Sequence, residues 1–267
     1  MNNKDFNTIL KKVDEILPPK EFVGFQVGDA KPTVFDSKVG GVPYFPKSRK
    51  YPTIDDKPLL FIAQFNLDGI KLEGFPTTGI LQFFVADEDA YGLEFGSKKS
   101  RFKVIYHKKI IQDTEKLIDT VQNSPNAPYS GEFLLVPKNM GTMKASAWVE
   151  KFEQAFVQAY EELLGEKCKG MLDCGLTDKQ EEKLYERNDY QYDFWLGGYP
   201  VFAQYDPRYE KKYLNHDILL FESDSFYDRE SKREMMWGDS GTCTFFIKPE
   251  DLKKRDFSKV FFSWDCC

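Results

Sequence analysis

Histidine is nearly missing from this sequence: His107 and His216 are the only two among 267 residues. Imidazole is the most versatile proton carrier and metal ligand at neutral pH, so its scarcity removes most triad and His-rich metal chemistry. Cysteine is also sparse. Cys168, Cys174, Cys243, Cys266 and Cys267 are odd in number and lack the spacing of a disulfide framework. No second pair follows Cys168 and Cys174, so a zinc site is not indicated, and the adjacent Cys266 and Cys267 read as a reduced, frayed end. A basic excess is lacking as well. With 37 Lys and Arg against 43 Asp and Glu, the formal charge is −6, which argues against a nucleic acid or an anionic membrane as partner. No apolar run approaches the roughly 20 residues of a membrane span, and Met1 to Phe6 shows no basic stretch leading into an apolar one. A cytoplasmic protein is expected. Dinucleotide, P-loop and His-Glu-x-x-His motifs are absent, so no cofactor or metal is expected.

Aromatic residues are abundant at 16%, and they favour pleated, half-buried surfaces. Three stretches carry helical periodicity. Phe6, Ile9, Leu10, Val13, Ile16 and Leu17 share one face before Pro18-Pro19. Trp148, Phe152, Phe156, Tyr160 and Leu163 form a second stripe, predicting a helix over about 144–164 with Gly165 as its C-terminal cap. Thr177 and Gln180 have capping-box spacing and open a third, to about Arg187. The apolar runs 59–65, 80–85, 101–107, 132–136, 218–221, 242–247 and 260–264 read as strands. The fold class is α+β, mostly antiparallel β with a few peripheral helices.

Internal self-similarity organises these strands. Asp36 to Phe45 and Asp193 to Phe202 both spell Asp-x-x-aliphatic-Gly-Gly-x-Pro-x-Phe, at an offset of 157. Phe61 to Asn66 returns as Leu219 to Asp224 at 158, and Gly79 to Asp89 returns as Gly241 to Asp251 at 162. Loops absorb such a drift at little cost. The expectation is a single domain over 1–267 built of two duplicated β-rich halves about a pseudo-twofold. The halves span 20–136 and 176–267, joined by a helical region at 137–175. Each Gly-Gly-x-Pro supplies a turn that Cβ-bearing residues resist. Each Phe-Phe-Val/Ile reads as a central strand buried on both faces. Two such sheets packed together imply a groove along the axis as the binding site.

Two local patterns suggest chemistry. Gly238-Asp239-Ser240-Gly241 matches the nucleophile tetrapeptide of chymotrypsin-like proteases. However, Thr242 follows where that family has Gly, and His107 lacks the matching context. Glu222 and Asp224 project from one strand face, where oxygen ligands suit a hard cation. No complete calcium loop accompanies them, so a solvated acidic strand end is the simpler reading.

The quoted blocks also resemble a known group. Lys38 to Pro43, Tyr51-Pro52, Ile62 to Phe65 and Gly79 to Phe84 are similar to the first half of the YwqG-like family. Leu196 to Pro200, Gln204, Glu222 to Ser225, Trp237 to Gly241, Asp251-Leu252 and Asp256 to Ser258 are similar to its second half. Tyr51 stands where Trp is common, and Glu222 where Gln is common. The resemblance implies a bacterial protein of unknown function and assigns no catalytic residues. The expected role is a non-catalytic binding protein that takes a protein partner through the groove or exposed aromatics. One alternative is a polyol- or sugar-like ligand stacked on Trp195, Trp237 or Tyr199. The other is a serine hydrolase using Ser240. Gln204, Asp224, Trp237 and Asp239, which the repeat leaves unexplained, are the candidate ligand or partner contacts.

Overall fold

The computed structural model describes residues 1–93, 101–188 and 192–266. Helix α1 (Asn3–Ile16) starts where the Asn2 side chain accepts the Asp5 amide at 2.9 Å. It buries Phe6, Ile9 and Val13, and it stops before Pro18-Pro19, which cannot donate to a helical ladder. Helix α2 (Glu150–Leu164) buries Phe152, Ala155, Phe156, Ala159 and Tyr160, and Gly165 closes it at φ 72°. It begins six residues later than its stripe predicts, because Val149 is extended and caps it. Helix α3 (Asp178–Tyr185) has the Thr177–Gln180 capping box in full. A fourth, α4 (Pro249–Lys254), is a short turn started by proline.

Ten strands form one antiparallel sheet. Numbering these alone, they are β1 (Lys20–Gly28), β2 (Lys38–Val39), β3 (Leu60–Asn66), β4 (Ile80–Val85) and β5 (Phe102–His107). The rest are β6 (Phe133–Met143), β7 (Phe194–Gly197), β8 (Ile218–Asp224), β9 (Thr242–Ile247) and β10 (Phe261–Asp265). Their spatial order is β10-β9-β8-β7-β1-β6-β2-β3-β4-β5. The fold is therefore α+β, dominated by antiparallel sheet with few helices. Strands β4 and β9, the two Phe-Phe runs, are buried at every position.

The register repeats in detail. β3 slips against β4 between Phe61 and Ala63, and β8 slips against β9 between Leu219 and Phe221. Tyr44 N–H donates to Gln64 Oε1 at 2.9 Å, and Val201 N–H donates to Glu222 Oε1 at the same distance. Both Gly-Gly pairs are left-handed, with φ of 65° and 64° at Gly40 and Gly41, and 73° and 71° at Gly197 and Gly198.

These glycines are tightly enclosed. A Cβ on Gly40 would stand 2.6 Å from the Gly131 carbonyl oxygen, whereas one on Gly131, also left-handed, meets nothing within 4 Å. Gly40→Ala should therefore lose about 1–3 kcal/mol more than Gly131→Ala, which bears only the backbone penalty. Urea denaturation of the two variants checks this, and equal losses would contradict the close approach.

One expectation needs correcting. The expected groove between two sheets does not form among the described residues: β1 joins β6 edge to edge, so both halves lie in one ten-stranded sheet. Its ends bring inner faces together, with Phe102 of β5 5.4 Å from Phe262 of β10 and Phe83 of β4 4.8 Å from Phe245 of β9. Fully buried Phe65, Phe83, Phe221 and Phe245 fill the space. On the opposite face, α1 and α2 pack with Phe22, Met143, Trp195, Leu219 and Phe246. The outer face of β3 and β4 is covered by Phe45, Tyr51 and Ile54.

The cysteine expectation is also corrected. Cys168 and Cys174 form a disulfide with Cα atoms 5.9 Å apart. The chain between them turns through a 3₁₀ segment, Met171–Cys174, which brings together two thiols whose spacing looks like no framework. Cys243 and Cys266 are free, and Cys267 lies outside the described residues. Among the described residues no helix is long and apolar enough to cross a membrane.

Candidate functional site

The four candidate residues do not gather in one cavity. Gln204 is exposed; its N–H donates to Asp265 Oδ2 at 2.7 Å and its Nε2 to the Cys266 carbonyl at 2.5 Å. Asp224 is half-buried at the end of β8 and lies opposite Thr242, whose hydroxyl donates to Asp265 Oδ1 at 2.8 Å. Burial, then Asp193 and Asp265, push the Asp224 carboxyl up to about 7. Trp237 is fully buried, its Nε1 donating to Ser223 Oγ at 3.2 Å and its ring 5.1 Å from Tyr91. Asp239 is exposed in the turn closed by the Gly241 N–H to Trp237 carbonyl bond of 2.8 Å.

The solvated acidic strand end is overturned. Glu222 is fully buried, and burial first, then Asp224, raise its carboxyl well above the usual range. Among the described residues its Oε2 has no hydrogen-bond partner. Among the described residues no group of three or more His, Cys, Asp and Glu is arranged to hold a metal ion.

Among the described residues no triad surrounds Ser240, which is exposed at φ 59°. His107 is held elsewhere, its Nδ1 3.1 Å from Arg49 Nη1 and its Nε2 2.8 Å from Gln82 Oε1. Burial, then Arg49, pull that imidazole down to about 4, so it is neutral at pH 7. His216 is buried against Tyr213 and Phe261.

The aromatics expected to meet a partner lie mostly inside. Among the described residues, the exposed large aromatics are Tyr185, Tyr205, Tyr209 and Tyr227. Trp195 and Trp237 are fully buried and offer no face for stacking.

A concave site does exist, where three distant segments meet. The turn from α1 into β1 contributes Leu17, Pro18 and Lys20; the start of α2 contributes Val149, Glu150 and Lys151; the stretch between β7 and β8 contributes Tyr199, Asp206, Arg208, Leu214 and Asp217. They enclose about 260 Å³. None of the four candidate residues lines it. A second hollow is formed mainly by polar residues of α2's outer face, Glu153 to Glu162.

The cleft is built from the backbone outward. Left-handed Gly197 and Gly198 turn the chain so that the Tyr199 hydroxyl donates to the Pro18 carbonyl at 2.9 Å. Asp206 caps α2 from a distance, its Oδ2 accepting the Glu150 amide at 3.0 Å. Arg208 donates to both Asp206 oxygens, at 2.8 and 2.6 Å, and lies 4.4 Å over the Phe246 ring. Such a buried fork-on-carboxylate pair satisfies both charges with fixed geometry. Lys151 pairs with Asp217 Oδ1 at 2.6 Å.

Lys20 differs from both. Its Nζ donates to the Asp217 main-chain carbonyl at 2.7 Å and sits 4.6 Å over the Tyr199 ring. Burial, then the Arg208 charge, lower this amine to about 8, with Asp217 pulling the other way. At pH 7 it is therefore still mostly an ammonium, with roughly a tenth present as free amine, far more than an ordinary lysine offers. Burial likewise raises the Tyr199 phenol to about 12, so that hydroxyl remains a donor. The sequence signal for this site was slight: a lysine directly after Pro18-Pro19, and an Asp-Pro-Arg whose carboxylate caps a helix far away in the chain.

A family model described as a domain of unknown function, DUF1963, matches residues 37–266. A search of curated proteins finds no match.

Proposed function

The chain belongs to the DUF1963 family of domains of unknown function, and from that premise we propose that it is a YwqG-like, non-catalytic binding protein. Its ligand is a small uncharged organic molecule held in the cleft beside Lys20. The observation that carries this reading is the state of the three cleft cations. Arg208 and Lys151 already hold carboxylates, while Lys20 faces a carbonyl and gives up its proton more easily than an ordinary lysine. Two of the three cations are already spoken for, and the burial that lowers the Lys20 amine disfavours bringing further charge into the cleft. A neutral molecule finds a donor amine and an apolar wall of Leu17, Pro18, Val149, Tyr199 and Leu214. Concave, mostly apolar sites with a few placed polar groups and a perturbed titratable residue are the usual form of a ligand site.

The cleft's frame fits a duplicated origin. Read outward from the centre, the sheet runs β6-β2-β3-β4-β5 on one side and β1-β7-β8-β9-β10 on the other. The paired slips, Gly-Gly turns and side-chain bonds at Gln64 and Glu222 support two copies of one module, with β1 and β6 each at the centre. Helices α1 and α2 pack mainly on the outer face of β1, β7, β8 and β9, so the cleft lies on that side of the sheet.

A thermal-shift screen of neutral alcohols, polyols, ketones and aldehydes tests the site. Hits should stabilise the wild type by mass action, and Leu214→Trp, which narrows the cleft, should weaken them by about tenfold, or roughly 1.4 kcal/mol. A screen without hits, or hits indifferent to Leu214→Trp, would remove the cleft as the ligand site.

A further inference from the structure

We propose that Lys20 is a covalent docking point for carbonyl compounds, its amine forming a reversible imine with an aldehyde seated in the cleft. This rests on the cleft being the ligand site and goes beyond it by assigning a bond.

Three features place the chemistry. The Lys20 nitrogen lines a hollow of about 260 Å³, enough for a short aldehyde. The groups facing it are the Asp217 carbonyl and carboxylate from the β8 approach, Lys151 and Glu150 from α2, and the Arg208–Asp206 pair. Both neighbouring cations are held by carboxylates, Lys151 by Asp217 and Arg208 by Asp206, so neither competes with Lys20 for the aldehyde. Finally, the Tyr199 ring beneath the nitrogen stabilises a cation at that position, as it would a protonated imine. An ammonium cannot add to a carbonyl. An amine lowered from 10.5 to about 8 holds about 300-fold more free base at pH 7 than an ordinary lysine.

The step balances without an oxidant or reductant. The Nζ lone pair attacks the carbonyl carbon, and the C=O π electrons move to oxygen. The nitrogen gives up two protons in all, and the oxygen leaves with them as water. The product is C=N in place of C=O, and added water reverses it.

Full-length protein treated at pH 7 with butanal and cyanoborohydride, then mapped by peptide mass spectrometry, tests the assignment. The butyl adduct on Lys20 should exceed that on the median lysine by at least about tenfold. Lys20→Arg should abolish it, and Leu214→Trp should cut it several-fold. In the wild type, 1-pyrenecarboxaldehyde, too large for the hollow, should show no preference for Lys20, a readout that does not depend on any variant folding. Even labelling across lysines, or equal preference with the bulky aldehyde, overturns the imine. If butanal still raises the melting temperature while Lys20 is unlabelled, the bond is refuted and the cleft reading survives. Loss of both the shift and the adduct refutes both.

Discussion

A Glu222→Gln variant is expected to be more stable than the wild type at pH 7, by about 1–3 kcal/mol, the usual penalty of a buried polar atom without a partner. Glu222 Oε2 is such an atom. At the matching place in β3, Gln64 accepts the same backbone bond and uses its Nε2 to donate to the Val34 and Asp36 carbonyls, each at 2.8 Å. The substitution supplies a group that is neutral at every pH where the carboxyl has to take up a proton to become so. The pH dependence fixes the sign. Folding raises the Glu222 carboxyl above its usual value of 4.5, so the folded state binds a proton that the unfolded state releases. The group's contribution is fully favourable below about 4.5 and is lost as pH rises through the folded-state value. The advantage of Glu222→Gln should therefore widen from pH 5 to pH 7. Asp224, pushed up to about 7, adds a decline of the same sign that ends near there and persists in the variant. Urea titrations at half-unit steps provide the measurement. A difference that is constant with pH, or a less stable variant, would show that Glu222 is solvated or ionised in the fold.

Phe83→Ala should lose about 3–5 kcal/mol, lowering the melting temperature by about 6–20 °C. Phe83 is fully buried, with rings of Phe65, Phe221 and Phe245 at 5.9, 4.8 and 4.8 Å. It touches strands from both sides of the β1–β6 seam, so its loss should weaken the molecule as a single cooperative unit. Phe245→Ala should do the same, and a double-mutant cycle should return a coupling of about 0.5–1.5 kcal/mol. Two separate calorimetric transitions, or additive losses, would mean that the inner faces do not share one core.

Much of this architecture was legible in the sequence where local chemistry decides it. The Gly-Gly turns, the two Phe-Phe strands, the Thr177 capping box and the α1 and α2 stripes all depend on residues within a few positions of one another. The central strand β1 was not visible: Glu21, Gly24 and Gln26 interrupt its apolar residues, and its ladder is completed by β6 and β7 from far along the chain. Glu222 was misplaced for a related reason. An acidic residue reads as solvated unless the layer above it is known, and here that layer is the segment leading to Val201. The lowered proton affinity of Lys20 was illegible because it is set first by burial and then by Arg208 and Asp217, none of which a spacing rule connects to it.

The position of β1 also shapes how the chain is made. Synthesis proceeds at about 5–20 residues per second, so β1 leaves the ribosome on the order of 10–30 s before the β7 residues that flank it. Meanwhile β6 can complete the other side, leaving Phe22, Val23 and Phe25 along an open border with unused amides and carbonyls. Such a border is a template for another strand. A chain that ends before Phe194 is therefore expected to pair with neighbouring copies through this border, where the full-length chain does not.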